Sequence, residues 1–153
     1  MSAENKLNEL GITLEEVQTP KFSYVPVTQV GNLVYTSGQD CRVSGELLLE
    51  GKLGKDLSVE EGKKAARQCA INCLSVLKWH LGCLDKVKKV VKVLGFVQSD
   101  EKFKDHPFVM NGASDLFLEV FGEKGKHARS AIGTSELPFN TPVEVEIIVE
   151  IED

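Results

Sequence analysis

The sequence predicts an α+β protein in which one β-sheet carries two helices on the same face. Two β-rich runs meet at the turn pair Gly31-Asn32, and the C-terminal segment Val143–Ile151 alternates apolar and polar residues. Between them lie two stretches with helical periodicity, and each is followed by a strand-like segment. This order of elements favours a sheet with both helices packed against it.

The N-terminal third is predicted to contain a short helix and a hairpin. Residues 1–14 form a helical segment ahead of the sheet, and Gly11 is placed to end its helix. Residues 24–30 and 33–37 form the two strands of the hairpin. The leucine-rich segment 45–54 predicts one more short strand between loops.

Both long helices have clear start and stop signals. Ser58 and Glu61 form a capping box, and helical periodicity continues from there to Gly82. The second helix starts at Asp105-His106-Pro107, with proline in its first turn, and stops at Gly122.

The strands after the helices differ in pattern. Val87–Val97 is a nearly continuous apolar run, which predicts a strand covered on both faces. Along Val143–Ile151 the apolar residues at alternate positions face the helices, whereas Ile148 lies among glutamates on the other face. This mixed outer face suggests that another subunit covers it.

Composition excludes several classes of protein. The chain has 153 residues and a formal net charge of −5, with no basic face to neutralise phosphates, so nucleic acid is not an expected partner. No stretch approaches the roughly 20 apolar residues that a membrane span requires. The polar N-terminus lacks a secretory signal. We therefore expect one cytoplasmic domain, residues 1–153, with no membrane partner.

The cysteines and histidines do not form a metal motif. Cys69 and Cys73 lie four apart on a predicted helix and could supply two ligands, but no second pair has matching spacing. Buried thiols are the favoured interpretation. We also expect a surface position for His127 and a packing role for Trp79.

One arginine marks a candidate site for a small molecule. Arg129 lies on a strand of small residues, which leaves room around its guanidinium for a ligand carboxylate. The following strand presents Glu144 and Glu146 on one face, where a carboxylate could direct a water. Alternatively, Arg129 pairs with one of these glutamates across the sheet, and the residues alone leave both interpretations open.

Several segments together resemble a known family. In chain order they are Tyr24, Val34-Tyr-Thr-Ser-Gly-Gln39, Ser58–Leu81, Val109-Met-Asn-Gly112, Ala128-Arg-Ser130, Leu137-Pro138 and Val143-Glu-Val-Glu146. Each is weakly specific alone, but in this order they resemble the Rid/YjgF family of reactive-intermediate deaminases, also described as L-PSP endoribonucleases. The resemblance implies a chorismate-mutase-like fold and a homotrimer whose sheets form a central barrel, with three clefts between subunits.

The resemblance also assigns roles to residues. It makes Arg129 the binder of the substrate carboxylate and Glu144 the residue that orients water. The expected ligand contacts are Tyr24, the pair Ser37-Gly38, Asn111, and the backbone amides of Ala131 and Ser37. The residues alone leave a structural role open for each. Tyr24 could equally pack against the core, Ser37 could only shape a turn, and Asn111 could cap or bridge backbone groups.

The implied activity is hydrolysis of a 2-imino or enamine acid to a 2-keto acid and ammonia, with no cofactor and no metal. Two departures point to a branch that differs from the best-known members: Ala131 replaces a frequent cysteine, and Phe22-Ser23 replaces a common Gly-Pro. A trimer that only binds small carboxylates is the alternative function. An endoribonuclease is the least favoured one, because the chain is acidic.

Overall fold

Five strands form a mixed β-sheet in the computed structural model, which describes residues 1–153. The strands of the chain are β1 (Val27–Val30), β2 (Leu33–Thr36), β3 (Arg42–Val43), β4 (Glu46–Leu47), β5 (Val87–Gln98), β6 (Ala128–Thr134) and β7 (Val143–Ile151). The sheet order is β1-β2-β7-β5-β6, while β3 and β4 pair separately. Only β5 and β6 run parallel. β6 is therefore an edge strand, and one strand separates it from β7.

Three α-helices accompany the sheet: α1 (Ala3–Glu9), α2 (Val59–Leu81) and α3 (His106–Phe121). The predicted capping box starts α2. Ser58 Oγ accepts a hydrogen bond from the Glu61 amide at 3.2 Å, and the Glu61 carboxylate accepts one from the Ser58 amide at 3.0 Å. Gly82, at φ 81°, ends α2 in a conformation that other residues rarely adopt.

The core lies between the sheet and the two long helices, as predicted. The apolar residues of β7 at alternate positions from Val143 to Ile151 are all buried there. The helices approach each other closely, because a Cβ atom on Gly112 of α3 would lie 2.1 Å from the Lys63 backbone oxygen of α2. Small residues on the inner side of α2 also permit close packing: Ala65, Ala66, Cys69, Ala70 and Cys73.

The opposite face of the sheet carries partly exposed apolar side chains. Leu94 and Phe96 of β5 and Ile148 of β7 are half-buried there, and Ile132 of β6 is 46% exposed. The prediction that β5 is covered on both faces therefore holds for one face only within the single chain.

The short strand expected within residues 45–54 is present as β4, which pairs with the unpredicted strand β3. Trp79 is 59% exposed on α2, so its predicted packing role is wrong within the chain. None of the helices combines the length and the hydropathy needed to cross a lipid bilayer.

Candidate functional site

Arg129 on β6 turns its guanidinium towards α3. Nη1 donates to Asn111 Oδ1 at 2.9 Å and to Ser114 Oγ at 3.1 Å, and Nη2 donates to the Pro107 carbonyl at 3.3 Å. These bonds use three of the five N–H groups of the guanidinium, so the Nε hydrogen and one Nη2 hydrogen are left for a ligand. None of the partners is a carboxylate.

His127 extends the same network, so its predicted surface position is wrong. Its Nε2 lies 2.8 Å from Ser114 Oγ, and its Nδ1 lies 2.6 Å from the Gly125 carbonyl. The half-buried ring also contacts Phe117 edge to face, with the ring centroids 6.1 Å apart. The available sequence signal was the spacing of two residues between His127 and Arg129, which places both on the same side of an extended segment.

Arg129 and Glu144 lie on opposite faces of the sheet. Arg129 pairs with Val93 of β5, a fully buried residue on the helix face, and side chains of paired residues share a face. Glu144 pairs with Phe96, three residues further along β5, and therefore points to the other face. One intervening strand and three residues of offset separate the two Cα atoms by about 14 Å. The alternative in which these two residues pair within one chain is therefore wrong.

Glu144 has its own close environment. A Cβ atom on Gly38 would lie 2.8 Å from Glu144 Cδ, so a larger residue at this position would displace the carboxylate. Burial raises the pKa of the Glu144 carboxyl above its ordinary value of 4.5, and the negative charges of Asp40 and Glu146 raise it further. Glu144 therefore holds a proton to higher pH than an ordinary glutamate.

Two other predicted site residues lie on the Glu144 side. Tyr24 and Ser37 border the same open groove, whose volume is about 1200 Å³, and Tyr24 is 53% exposed. Ser37 donates its hydroxyl to the Val25 carbonyl at 2.5 Å and its amide to the Pro26 carbonyl at 2.8 Å. The Ser37 amide is thus engaged within the chain and does not point to a ligand.

The predicted site residues thus divide into two groups. Asn111 lies with Arg129, and Ala131 follows two residues later on β6, where it packs against the core. Tyr24, Ser37 and Gly38 lie with Glu144. Each group presents one half of the chemistry that the sequence predicts for a single site.

The thiols are structural. Cys69 and Cys73 are fully buried and donate to the carbonyls of Val143 and Val145 at 3.3 and 3.4 Å. Burial raises the pKa of the Cys69 thiol well above its ordinary value and that of Cys73 to about 12. These thiols therefore stay protonated, as the buried interpretation predicts.

One side-chain cluster has atoms of the kind that bind metal. Atoms of Glu4, Cys83 and Asp85 lie within 4.8 Å of one another. Both carboxylates already accept backbone hydrogen bonds, from the amides of Leu84 and Ala3 at 2.8 Å each. The cluster therefore attaches α1 to the segment before β5.

Fold and site define a small sheet-and-helix protein of the chorismate-mutase-like class, with its polar groups divided between two surfaces. The chain belongs to the YjgF family: residues 4–151 match the family model described as "YjgF/chorismate mutase-like, putative endoribonuclease". The chorismate-mutase-like fold implied by the sequence is confirmed.

Individual relatives are similar over most of their length. Protein TCP17 of Trypanosoma cruzi is 43% identical over 96% of this chain and 92% of its own. A 2-iminobutanoate/2-iminopropanoate deaminase of Dermatophagoides farinae is 32% identical over 87% of this chain and 89% of its own. The solved structure of a protein of unknown function from Agrobacterium tumefaciens has a TM-score of 0.92 and 44% identity, covering 98% of this chain and 92% of that one.

Proposed function

We propose that the protein is a hydrolytic deaminase of 2-imino acids and their enamine tautomers, which it converts to 2-keto acids and ammonia. The observation that carries this proposal is the guanidinium of Arg129, held by three hydrogen bonds and by no carboxylate. An arginine oriented in this way suits the carboxylate of a small substrate. The Dermatophagoides farinae relative, named as an imine deaminase, supports the same chemistry.

The active site would be completed between copies of the chain. Arg129 and Glu144 lie on opposite faces of one sheet, so one chain alone does not bring them to the same substrate. A homotrimer with clefts between subunits would place Arg129 and Asn111 of one copy against Tyr24 and Glu144 of the next. The partly exposed apolar outer face of the sheet supports such an association.

The reaction adds water to the carbon of the C=N bond. Arg129 binds the substrate carboxylate and so fixes the electrophilic carbon. Glu144 takes a proton from the water as its oxygen attacks and passes it to the nitrogen, which gives a carbinolamine. The hydroxyl proton of that intermediate then moves to the nitrogen as the C–N bond breaks and the C=O bond forms. The oxygen stays on the 2-keto acid and the nitrogen leaves as ammonia, so water is the only co-reactant. A raised pKa suits a group that first accepts and then donates a proton.

The remaining predicted residues would shape the cleft. Tyr24 and Ser37 line the same groove as Glu144, and Gly38 allows the Glu144 carboxylate its position. Ala131 lies two residues after Arg129 on β6 and would border the cleft next to it. Asn111 acts on the ligand through Arg129, because its Oδ1 accepts from the guanidinium.

Turnover of imines tests the proposal. An amino acid oxidase generates 2-imino acids in the assay, and release of the 2-keto acid is followed with and without the protein. We expect Arg129→Lys to lose most of the acceleration, because lysine does not reproduce a bidentate contact. Glu144→Gln should lose about 10²- to 10⁴-fold, the usual contribution of a general base. Arg67→Lys is the matched control, since Arg67 forms a surface pair with Glu119 at 3.2 Å.

The outcomes separate the candidate functions. Equal acceleration by wild type and Arg129→Ala would show that the site is assigned wrongly. Binding of pyruvate that depends on Arg129, without turnover of any imine, would support the carboxylate-binding trimer instead. Cleavage of RNA that a substitution at Arg129 or Glu144 abolishes would support the endoribonuclease.

Mixing two inactive variants tests whether the site is shared. Arg129→Ala and Glu144→Gln chains are unfolded together and refolded, so that hybrid trimers form. In a random 1:1 mixture about one quarter of all clefts combine an intact arginine from one chain with an intact glutamate from another. Recovery of activity near this fraction is expected; no recovery would place both residues in the same chain's site.

A further inference from the structure

Three consecutive hydrogen bonds connect Arg129 to the backbone of the segment between α3 and β6. Arg129 Nη1 donates to Ser114 Oγ at 3.1 Å, Ser114 Oγ lies 2.8 Å from His127 Nε2, and His127 Nδ1 lies 2.6 Å from the Gly125 carbonyl. Ser114 is 8% exposed and Gly125 is buried. Water therefore competes little for these bonds.

The end groups fix the direction of the two outer bonds. The Gly125 carbonyl only accepts, so the Nδ1 atom of His127 carries a hydrogen. The guanidinium of Arg129 only donates, so Ser114 Oγ accepts from it. When the imidazole carries its single hydrogen on Nδ1, Nε2 accepts the hydroxyl hydrogen of Ser114. Every donor then meets an acceptor when His127 is neutral and in the Nδ1–H tautomer.

We propose that His127 is a positioning residue, which fixes the side-chain conformation of Arg129 through Ser114. Asn111 holds the second Nη1 hydrogen, and contact with Phe117 fixes the plane of the imidazole. Ordering a long side chain before binding removes an entropic cost that the ligand would otherwise have to overcome. The identity of the ligand that Arg129 binds rests on the proposed function. The ordering of the Arg129 side chain does not, because it is a property of the ligand-free protein.

Nuclear magnetic resonance of the ligand-free protein tests the ordering directly. A long-range ¹H–¹⁵N spectrum reports which nitrogen of His127 is protonated, and we expect Nδ1. The variant His127→Phe keeps an aromatic ring beside Phe117 but removes both nitrogens. It should make the Arg129 Nη1 hydrogen that Ser114 accepts exchange with water about tenfold faster, the effect of one net hydrogen bond. The Arg129 signal is assigned by its loss in Arg129→Lys.

Two further variants separate positioning from general damage. His80→Phe is the matched control, because His80 contacts Gln29 at 2.7 Å and is not part of the Arg129 network. It should leave the Arg129 signal unchanged. Ser114→Ala should reproduce the effect of His127→Phe, and the double variant should show no additional effect, because both changes break one connection.

Several results would overturn the proposal: an Nε2–H tautomer, an unchanged Arg129 signal in His127→Phe, or additive effects of the two substitutions. Pyruvate titration provides a separate measurement, in which His127→Phe should weaken binding about tenfold. If wild type binds no pyruvate but the spectra show the ordered arginine, the proposed function fails and the positioning role stands.

Discussion

Gly112→Ala would test how closely α2 and α3 approach each other. The new Cβ atom would lie 2.1 Å from the Lys63 backbone oxygen, whereas ordinary contact begins at 3.4 Å. The obstacle is main chain inside a helix, so no side-chain rotation relieves it. The two helices must move apart, and the core beneath them loses contacts.

The size of the effect follows from two opposing contributions. Overpacking a well-filled core costs about 1–3 kcal/mol, and an unyielding backbone places this site at the upper end. Alanine is favoured over glycine in a helix by about 1 kcal/mol, which offsets part of that cost. We expect a net loss of about 2 kcal/mol in the free energy of unfolding, or roughly 4–8 °C in Tm for a chain of this length.

Urea unfolding at a fixed protein concentration measures this loss, because self-association would otherwise change the apparent stability. Asp115→Ala is the control: it lies on the exposed side of the same helix and should change stability by less than about 0.5 kcal/mol. A Gly112→Ala protein as stable as wild type would refute the close helix approach. Because Asn111 precedes Gly112, we also expect weaker pyruvate binding.

Three further predictions concern charge, reactivity and capping. Glu144→Gln should raise the free energy of unfolding at pH 7, because the raised pKa of Glu144 means that its ionised carboxylate destabilises the native state. This stabilisation should disappear towards pH 4, where the carboxyl of the wild-type protein is protonated. A stabilisation that grows on acidification would contradict the buried environment. A thiol reagent should modify Cys83 in the native protein and spare the three buried cysteines, and rapid modification of four thiols would contradict their burial. Ser58→Ala should cost about 1 kcal/mol in chemical denaturation, whereas Ser58→Thr should retain most of the capping bond; equal losses would exclude the capping box as the cause.

The secondary structure was predictable because its signals are local. Ser58 with Glu61 and the glycine at position 82 mark the ends of α2 by chemistry that operates within one turn. The alternation from Val143 to Ile151 correctly identifies the face of β7 that meets the helices. The partner strand of β4, Arg42–Val43, was missed because a strand of two residues leaves too short a pattern to recognise.

The geometry of the site was only partly predictable. The small residues around Arg129 give β6 no alternation, so the sequence does not say which face the guanidinium occupies. The insertion of β5 between β6 and β7 depends on the pairing of distant segments. For the same reason the contact of His127 with Ser114 was missed, since it exists only because α3 packs over the start of β6.

The proposed site between two copies of the chain would have a thermodynamic consequence. A binding site made from two molecules obeys mass action. Dilution below the dissociation constant of the oligomer separates the chains and removes the site, and ligand binding favours their reassociation. Occupancy would then report protein concentration as well as ligand concentration. A cell could regulate such an activity simply by how much of the polypeptide it makes.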